Sequence, residues 1–159
     1  MCIRDRPGTK GCVLAQYVDS DLKCGVTIKD DNYRGKNRFS EYGDCGKKGW
    51  PSMGRELIYR FVNHKARDLK FTLMEDNGNQ PKLLNMFIVK QKNVKDDKSC
   101  DPTTCMGAVV RPAAHYDADR NYVELKNAGP GVYYVIVDGN RVTGHNWFKL
   151  RVDLSLIHI

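Results

Sequence analysis

Alternation with a period of two residues constrains this chain more than any other feature it has. Over residues 55–62, Leu57, Tyr59 and Phe61 share one face. Over 69–75, Leu69, Phe71 and Leu73 oppose Lys70 and Thr72, and over 147–152, Phe148, Leu150 and Val152 oppose Lys149 and Arg151. Side chains of a strand point to opposite faces in turn, so each segment reads as a half-buried strand of antiparallel sheet. Residues 132–137 (Val-Tyr-Tyr-Val-Ile-Val) are apolar throughout and predict a central strand covered on both faces. Residues 84–89 and 122–126 add two further strands, and 26–29 a weaker one. The segments 76–81, 127–131 and 138–140 are rich in Asp, Asn, Gly and Pro, the residues of turns. The last of these, with Gly144, predicts a hairpin between 132–137 and 147–152. No segment sustains a 3.6-residue period between caps. The expectation is an all-β, antiparallel, jelly-roll-like sandwich of seven or eight strands.

The two ends carry a different kind of signal. Back-translated, Met1-Cys2-Ile3-Arg4-Asp5-Arg6 and Leu154-Ser155-Leu156-Ile157-His158-Ile159 can be written as reverse complements. Unrelated termini have no physical reason for that, whereas a sequencing adapter translated with its insert has one. Residues 1–6 and 154–159 are therefore expected to be non-native parts of a fragment. Residues 7–23 are expected to be a linker or an edge element, and 24–153 the domain. The formal charge is +7; leaving out Arg4, Asp5 and Arg6 removes a net +1 and leaves +6. A basic surface favours anionic partners. No apolar run reaches the ~20 residues of a membrane-spanning helix.

Cys12, Cys24, Cys45, Cys100 and Cys105 remain between the ends, a dense set for one domain. Cys100-Asp-Pro-Thr-Thr-Cys105 places a turn between two thiols and predicts a short disulfide loop, worth about 2 kcal/mol by chain entropy. Structural zinc would want closer pairs with histidine support. Disulfides imply an oxidising compartment, hence an exported protein. Cys24 and Cys45 are further disulfide candidates, and an odd cysteine is left over.

Chemistry-bearing patterns are sparse. His64, His115 and His145 lie in separate segments, and the serines, Ser20, Ser40, Ser52 and Ser99, sit in no nucleophile elbow. The chain reads as no enzyme. Asp30-Asp31-Asn32 and Asp76-Asn77-Gly78-Asn79 are oxygen-rich, so Asp30, Asp31 and Asp76 are candidate calcium ligands, although neither segment has the twelve-residue calcium pattern. Asp138 is expected to shape the turn that follows it. Trp50, Tyr33, Tyr42, Tyr116 and Trp147 lie in or beside predicted loops and could form a binding surface. Arg34 adds charge within the basic, aromatic stretch 33–39. From these, Trp50, Tyr33, Arg34 and Tyr116 are the expected ligand-binding residues. No nucleic-acid motif appears.

Two strings, in this order and spacing, resemble a known family. They are Gly54-Arg-Glu-Leu-Ile-Tyr-Arg-Phe61 and Gly131-Val-Tyr-Tyr-Val-Ile-Val-Asp-Gly139, with Cys24-Gly25 before them and Trp147-Phe-Lys-Leu-Arg-Val152 after. The chain resembles the bacterial pre-peptidase C-terminal domain family over roughly 24–153. The resemblance implies a jelly-roll-like, exported, non-catalytic module appended to a larger protein, with the parent's other domains as partners. Some relatives bind polymeric substrate or calcium. Where relatives carry an Asp-x-Asp pair, this chain reads Leu84-Asn-Met-Phe87, without acidic side chains. Many relatives also end the last strand with a cysteine, which would supply a partner for Cys12, Cys24 or Cys45. The expected function is an accessory module at the cell surface or outside the cell, binding a polysaccharide or protein polymer or supporting a parent enzyme. A structural spacer between domains is the alternative, and a small hydrolase a more distant one.

Overall fold

The computed structural model describes residues 17–37, 54–75, 83–91, 105–109, 121–139 and 145–154, and strands make up most of them. Nine strands are present among them: β1 (Val18–Asp21), β2 (Thr27–Asp31), β3 (Glu56–Asn63), β4 (Arg67–Glu75), β5 (Leu84–Lys90), β6 (Cys105–Val109), β7 (Tyr122–Ala128), β8 (Gly131–Gly139) and β9 (Trp147–Leu154). They form two sheets, a five-stranded one in the order β1-β3-β8-β5-β6 and a four-stranded one in the order β2-β9-β4-β7. Leaving β1 aside, the remaining eight strands have the order of a jelly roll: two four-stranded sheets, with the chain crossing between them at almost every connection. The edge strand β1 lies within the segment expected to be a linker or edge element. It adds to β3 in parallel, the one parallel pair among the described strands.

The period-two residues meet between the sheets. Leu57, Tyr59 and Phe61 from β3, Tyr133, Val135 and Val137 from β8, and Leu84, Met86 and Ile88 from β5 face Leu69, Phe71 and Leu73 from β4 and Phe148, Leu150 and Val152 from β9. Aromatic rings span the gap edge to face: Tyr59 against Phe148 at 6.3 Å and Phe61 against Phe71 at 6.0 Å. A second cluster lies on the other face of the five-stranded sheet. There Ile58, Phe87, Val89, Tyr134 and Ile136 are buried, with Tyr17, Val18, Ala108 and Val132 against them. The apolar run 132–137 is thus buried on both sides.

Two expectations change. Strands β8 and β9 do not form a hairpin, because each is an interior strand of a different sheet. Both carry an apolar inward face, and the two faces bury each other across the sandwich rather than side by side. Residues 105–109, assigned to no strand from the sequence, form β6. Its Cys-Met-Gly-Ala-Val sequence has little alternation, and Gly107 explains why it fits: a Cβ there would lie 2.5 Å from Val123 Cγ1. Glycine lets β6 come up against β7. Asp138, expected to shape the turn that follows it, is fully buried within β8, between Glu56 of β3 and Asn85 of β5, and that turn lies outside the described residues.

Candidate functional site

The outer face of the four-stranded sheet has a different make-up. Phe148, Leu150 and Val152 of β9 point inward, so Trp147, Lys149, Arg151 and Asp153 point out. Register places Trp147 opposite Asp31 and Lys149 opposite Lys29 on β2, and Lys149 opposite Met74 on β4. Trp147 is 52% exposed, and the Lys29 ammonium lies 5.9 Å from its ring centre. Farther across the face the Lys70 ammonium lies 4.5 Å from the Tyr122 ring. Each ring keeps its π-face beside a cation.

This face continues onto the turn after β2. Asp31 caps a 3₁₀ turn, Asn32–Arg34, accepting a hydrogen bond from the Tyr33 amide at 2.8 Å. Gly35 then passes so close to β3 that a Cβ would fall 2.3 Å from the Glu56 carbonyl oxygen. Buried Asn32 pins the turn from below. Its amide nitrogen donates to the Arg55 carbonyl, and its oxygen accepts from the Asn146 amide. Tyr33 is held outward, 57% exposed, with its ring 5.1 Å from that of His145 and 4.6 Å from the Arg55 guanidinium. Arg55 also donates to the Tyr33 carbonyl. Tyr33, Arg55, His145, Trp147 and Lys29 thereby form an exposed, cationic-aromatic platform on rigid strand ends.

Beneath the platform lies a polar clasp between the sheets. Asp30 Oδ1 accepts from Arg34 Nε and from the Asp31 amide, and Oδ2 accepts from Arg34 Nη2 and from the Tyr59 hydroxyl at 2.8 Å. Burial acts to raise the Asp30 carboxyl, but the bonds from Arg34, the Asp31 amide and Tyr59 outweigh it and hold the group below its ordinary value. The Tyr59 hydroxyl is pushed far up, by burial first and then by Asp30. Arg34 also reaches Asp19 of β1 at 3.2 Å, while the other Asp19 oxygen accepts from the Ile58 amide. Arg34 therefore joins the edges of both sheets.

The expected site residues divide accordingly. Tyr33 belongs to the platform. Arg34 lies beneath it, committed to Asp30 and Asp19. Asp30 has both oxygens engaged by the chain itself and Asp31 caps a turn, and among the described residues no three metal-ligating side chains come together. Cys24, expected in a disulfide, is an exposed free thiol. It stands in the β1–β2 turn next to Gly25, whose positive φ of 76° turns the chain toward the four-stranded sheet. Trp50, Tyr116, Asp76, Cys45 and Cys100 lie outside the described residues. Lys29, Arg55 and His145 were not expected as site residues. Pairing of β2 with β9 brings Lys29 to Trp147, and the bridge between Lys36 and Glu56 brings Arg55 to Tyr33.

No family model and no curated protein sequence matches the chain. Among solved structures it is similar to the pre-peptidase C-terminal domain of a collagenase from Bacillus anthracis, with 15% identity, 94% of this chain and 99% of that one covered, and a TM-score of 0.49. It is similar to PliG of Aeromonas hydrophila, a periplasmic inhibitor of g-type lysozyme, with 8% identity, coverage of 87% and 97%, and a TM-score of 0.49. It is also similar to CorA, a surface-associated copper-binding protein of Methylomicrobium album BG8, with 8% identity, coverage of 87% and 99%, and a TM-score of 0.48. The jelly-roll assignment rests on the strand order of this chain itself.

Proposed function

We propose that this chain is a non-catalytic accessory module of an exported protein, and that it holds an acidic polysaccharide on the cationic-aromatic platform of its four-stranded sheet. The observation that carries the reading is the placement of Tyr33 and Trp147, each half exposed and each flanked by a cation. A sugar ring stacks on such a ring, and its acidic substituent meets Lys29 or Arg55. Lys29 and Lys149 stand directly opposite each other on the same face. A bound polyanion would meet both ammonium groups on that face. Export fits the cysteine usage. No helix among the described residues is long and apolar enough to cross a membrane.

The test is calorimetric titration of the whole chain with polygalacturonate, heparin and a neutral glucan. Binding to an acidic polymer, lost in Trp147→Ala and Tyr33→Ala, is the expected result. EDTA should leave it unchanged, because Asp30 spends its oxygens on Arg34, Tyr59 and a backbone amide. Binding that survives both ring deletions and disappears with salt alone would reduce the platform to nonspecific charge. No binding to any polymer would favour the spacer.

A further inference from the structure

At the other end of β3, roughly 25 Å from the platform at about 3.3 Å per strand residue, the sandwich opens into a cleft of about 330 Å³. Leu22 and Phe61 are its apolar lining, and Lys23, Cys24, Arg60, His64 and Arg67 surround them with Asp21 and Val62. Among the described residues the only carboxylate in this lining is Asp21, and it is already taken. Arg60 Nε and Nη2 donate to its two oxygens at 2.7 and 3.1 Å. The Arg60 bond holds the Asp21 carboxyl below its ordinary value, so the pair stays charged and internally satisfied. Lys23 and Arg67 remain as surplus cations facing one space.

The backbone that carries Lys23 and the side chain of Arg67 are each held in place. The turn that carries Lys23 is fixed to both sheets: the Leu22 amide donates to the Arg60 carbonyl at 2.7 Å, and the Gly25 amide donates to the Val152 carbonyl at 2.8 Å. The Arg67 Nε donates to Asn63 Oδ1 at 2.8 Å. Asn63, almost completely buried, is itself fixed by donating to the carbonyls of Ala128 and Gly129, each at 3.0 Å. Arg67 is thereby braced from behind, with its terminal nitrogens free for an acceptor. A planar guanidinium fork and an ammonium converging on one concave space suit an oxyanion, with two oxygens for the fork and one for the ammonium.

We propose that this cleft is a second, separate binding site, taking a sulfate or carboxylate group between Lys23 and Arg67, with His64 at its rim. The group could come from a free anion or from the substituent of an acidic polymer. Cys24 lines the same cleft as an exposed free thiol, so its reactivity reports occupancy.

The whole chain is alkylated with iodoacetamide, and the rate at Cys24 is followed by peptide mass spectrometry. The anions are inorganic sulfate, acetate, heparin and polygalacturonate, each against chloride at equal ionic strength. At twice the dissociation constant, protection of about threefold is expected. It should saturate, and it should be lost in Lys23→Gln and in Arg67→Gln. Lys23→Gln alters an exposed side chain on a turn held by backbone bonds, so it keeps the test valid if Arg67→Gln fails to fold. Trp147→Ala should leave the protection intact, which separates this site from the platform. Protection by sulfate or acetate marks a free-anion site; protection by the polymers alone marks a polymer subsite. Protection equal to that given by chloride, protection that survives Lys23→Gln, or protection abolished by Trp147→Ala would each overturn the proposal.

Discussion

The two sheets share one core but treat their outer faces in opposite ways. The five-stranded sheet buries Ile58, Phe87, Val89, Tyr134 and Ile136 on its outside as well as a full set of residues on its inside. The four-stranded sheet buries only its inside and presents Trp147, Lys149, Lys29 and Met74 to solvent. A sheet with two buried faces is scaffold. A sheet with one buried face has the other to offer, and here that face carries rings and cations rather than a plain solvated surface. The proposed binding surface lies on that four-stranded side.

The largest effects should mark this asymmetry directly. Phe71→Ala, between the sheets, and Phe87→Ala, on the outer face of the five-stranded sheet, should each cost about 3–5 kcal/mol, because both rings are fully buried. Urea unfolding would read both as a fall in midpoint at constant slope. Trp147→Ala, on the exposed outer face of the other sheet, should stay within about 0.5 kcal/mol of the parent. If Phe87→Ala proved as mild as Trp147→Ala, the second cluster would not be core and the contrast between the faces would collapse.

A middle-sized effect comes from the clasp joining the sheets. Asp30→Ala removes charge-assisted bonds to Arg34 and Tyr59 and should cost about 2 kcal/mol. The partial exposure of Asp30 keeps this below the value of a deeply buried pair. Because the folded carboxyl lies below its ordinary value, its contribution is complete above the unfolded pKa of about 3.9 and is lost as pH falls through the folded value. The stability gap between parent and Asp30→Ala should thus be constant from pH 6 to 8, to about the precision of the measurement, and close in stronger acid. A gap that widened on acidification would mean the carboxyl is held neutral, not charged.

Most of the fold is legible in the sequence, for a physical reason. A strand buried on one face must alternate, so 55–62, 69–75 and 147–152 announce themselves, and a strand buried on both faces must be apolar throughout, as 132–137 is. Pairing is less legible, since alternation says which face is inward and not which neighbour is alongside. That is why β8 and β9 read as a hairpin although they belong to different sheets. The edge strands β1 and β6 are short and weakly patterned, and edges need less apolar sequence to hold them. The site is legible only in part for the same reason. Tyr33 stands out as an aromatic among cations, but its neighbours Arg55 and His145 are 22 and 112 residues away in sequence (55 − 33; 145 − 33). Arg34 looked equally promising, and nothing local shows that Asp30 and Asp19 would claim it.

The next effect belongs to binding alone. Trp147→Ala should leave the fold intact and weaken the acidic polymer about tenfold, equal to about 1.4 kcal/mol, the size expected for loss of a stacked ring beside a cation. Phe87→Ala, measured in conditions where it is fully folded, should leave binding unchanged. The opposite pattern would move the site to the five-stranded sheet.

The smallest effect is the sharpest test of purpose. Lys149 stands opposite Lys29, and a direct pair of like charges on an antiparallel face is destabilising, whereas an opposite-charge pair contributes roughly 0.2–1 kcal/mol. Lys149→Glu should therefore stabilise the protein by a few tenths of a kcal/mol at low salt, with the gain shrinking as salt screens it. The same change should weaken acidic-polymer binding and flatten its dependence on salt. A gain in stability coupled to a loss of binding is what a surface kept for a polyanion predicts. If Lys149→Glu stabilised the fold and left binding untouched, the lysine pair would be incidental, and the platform would rest on Tyr33 and Trp147 without it.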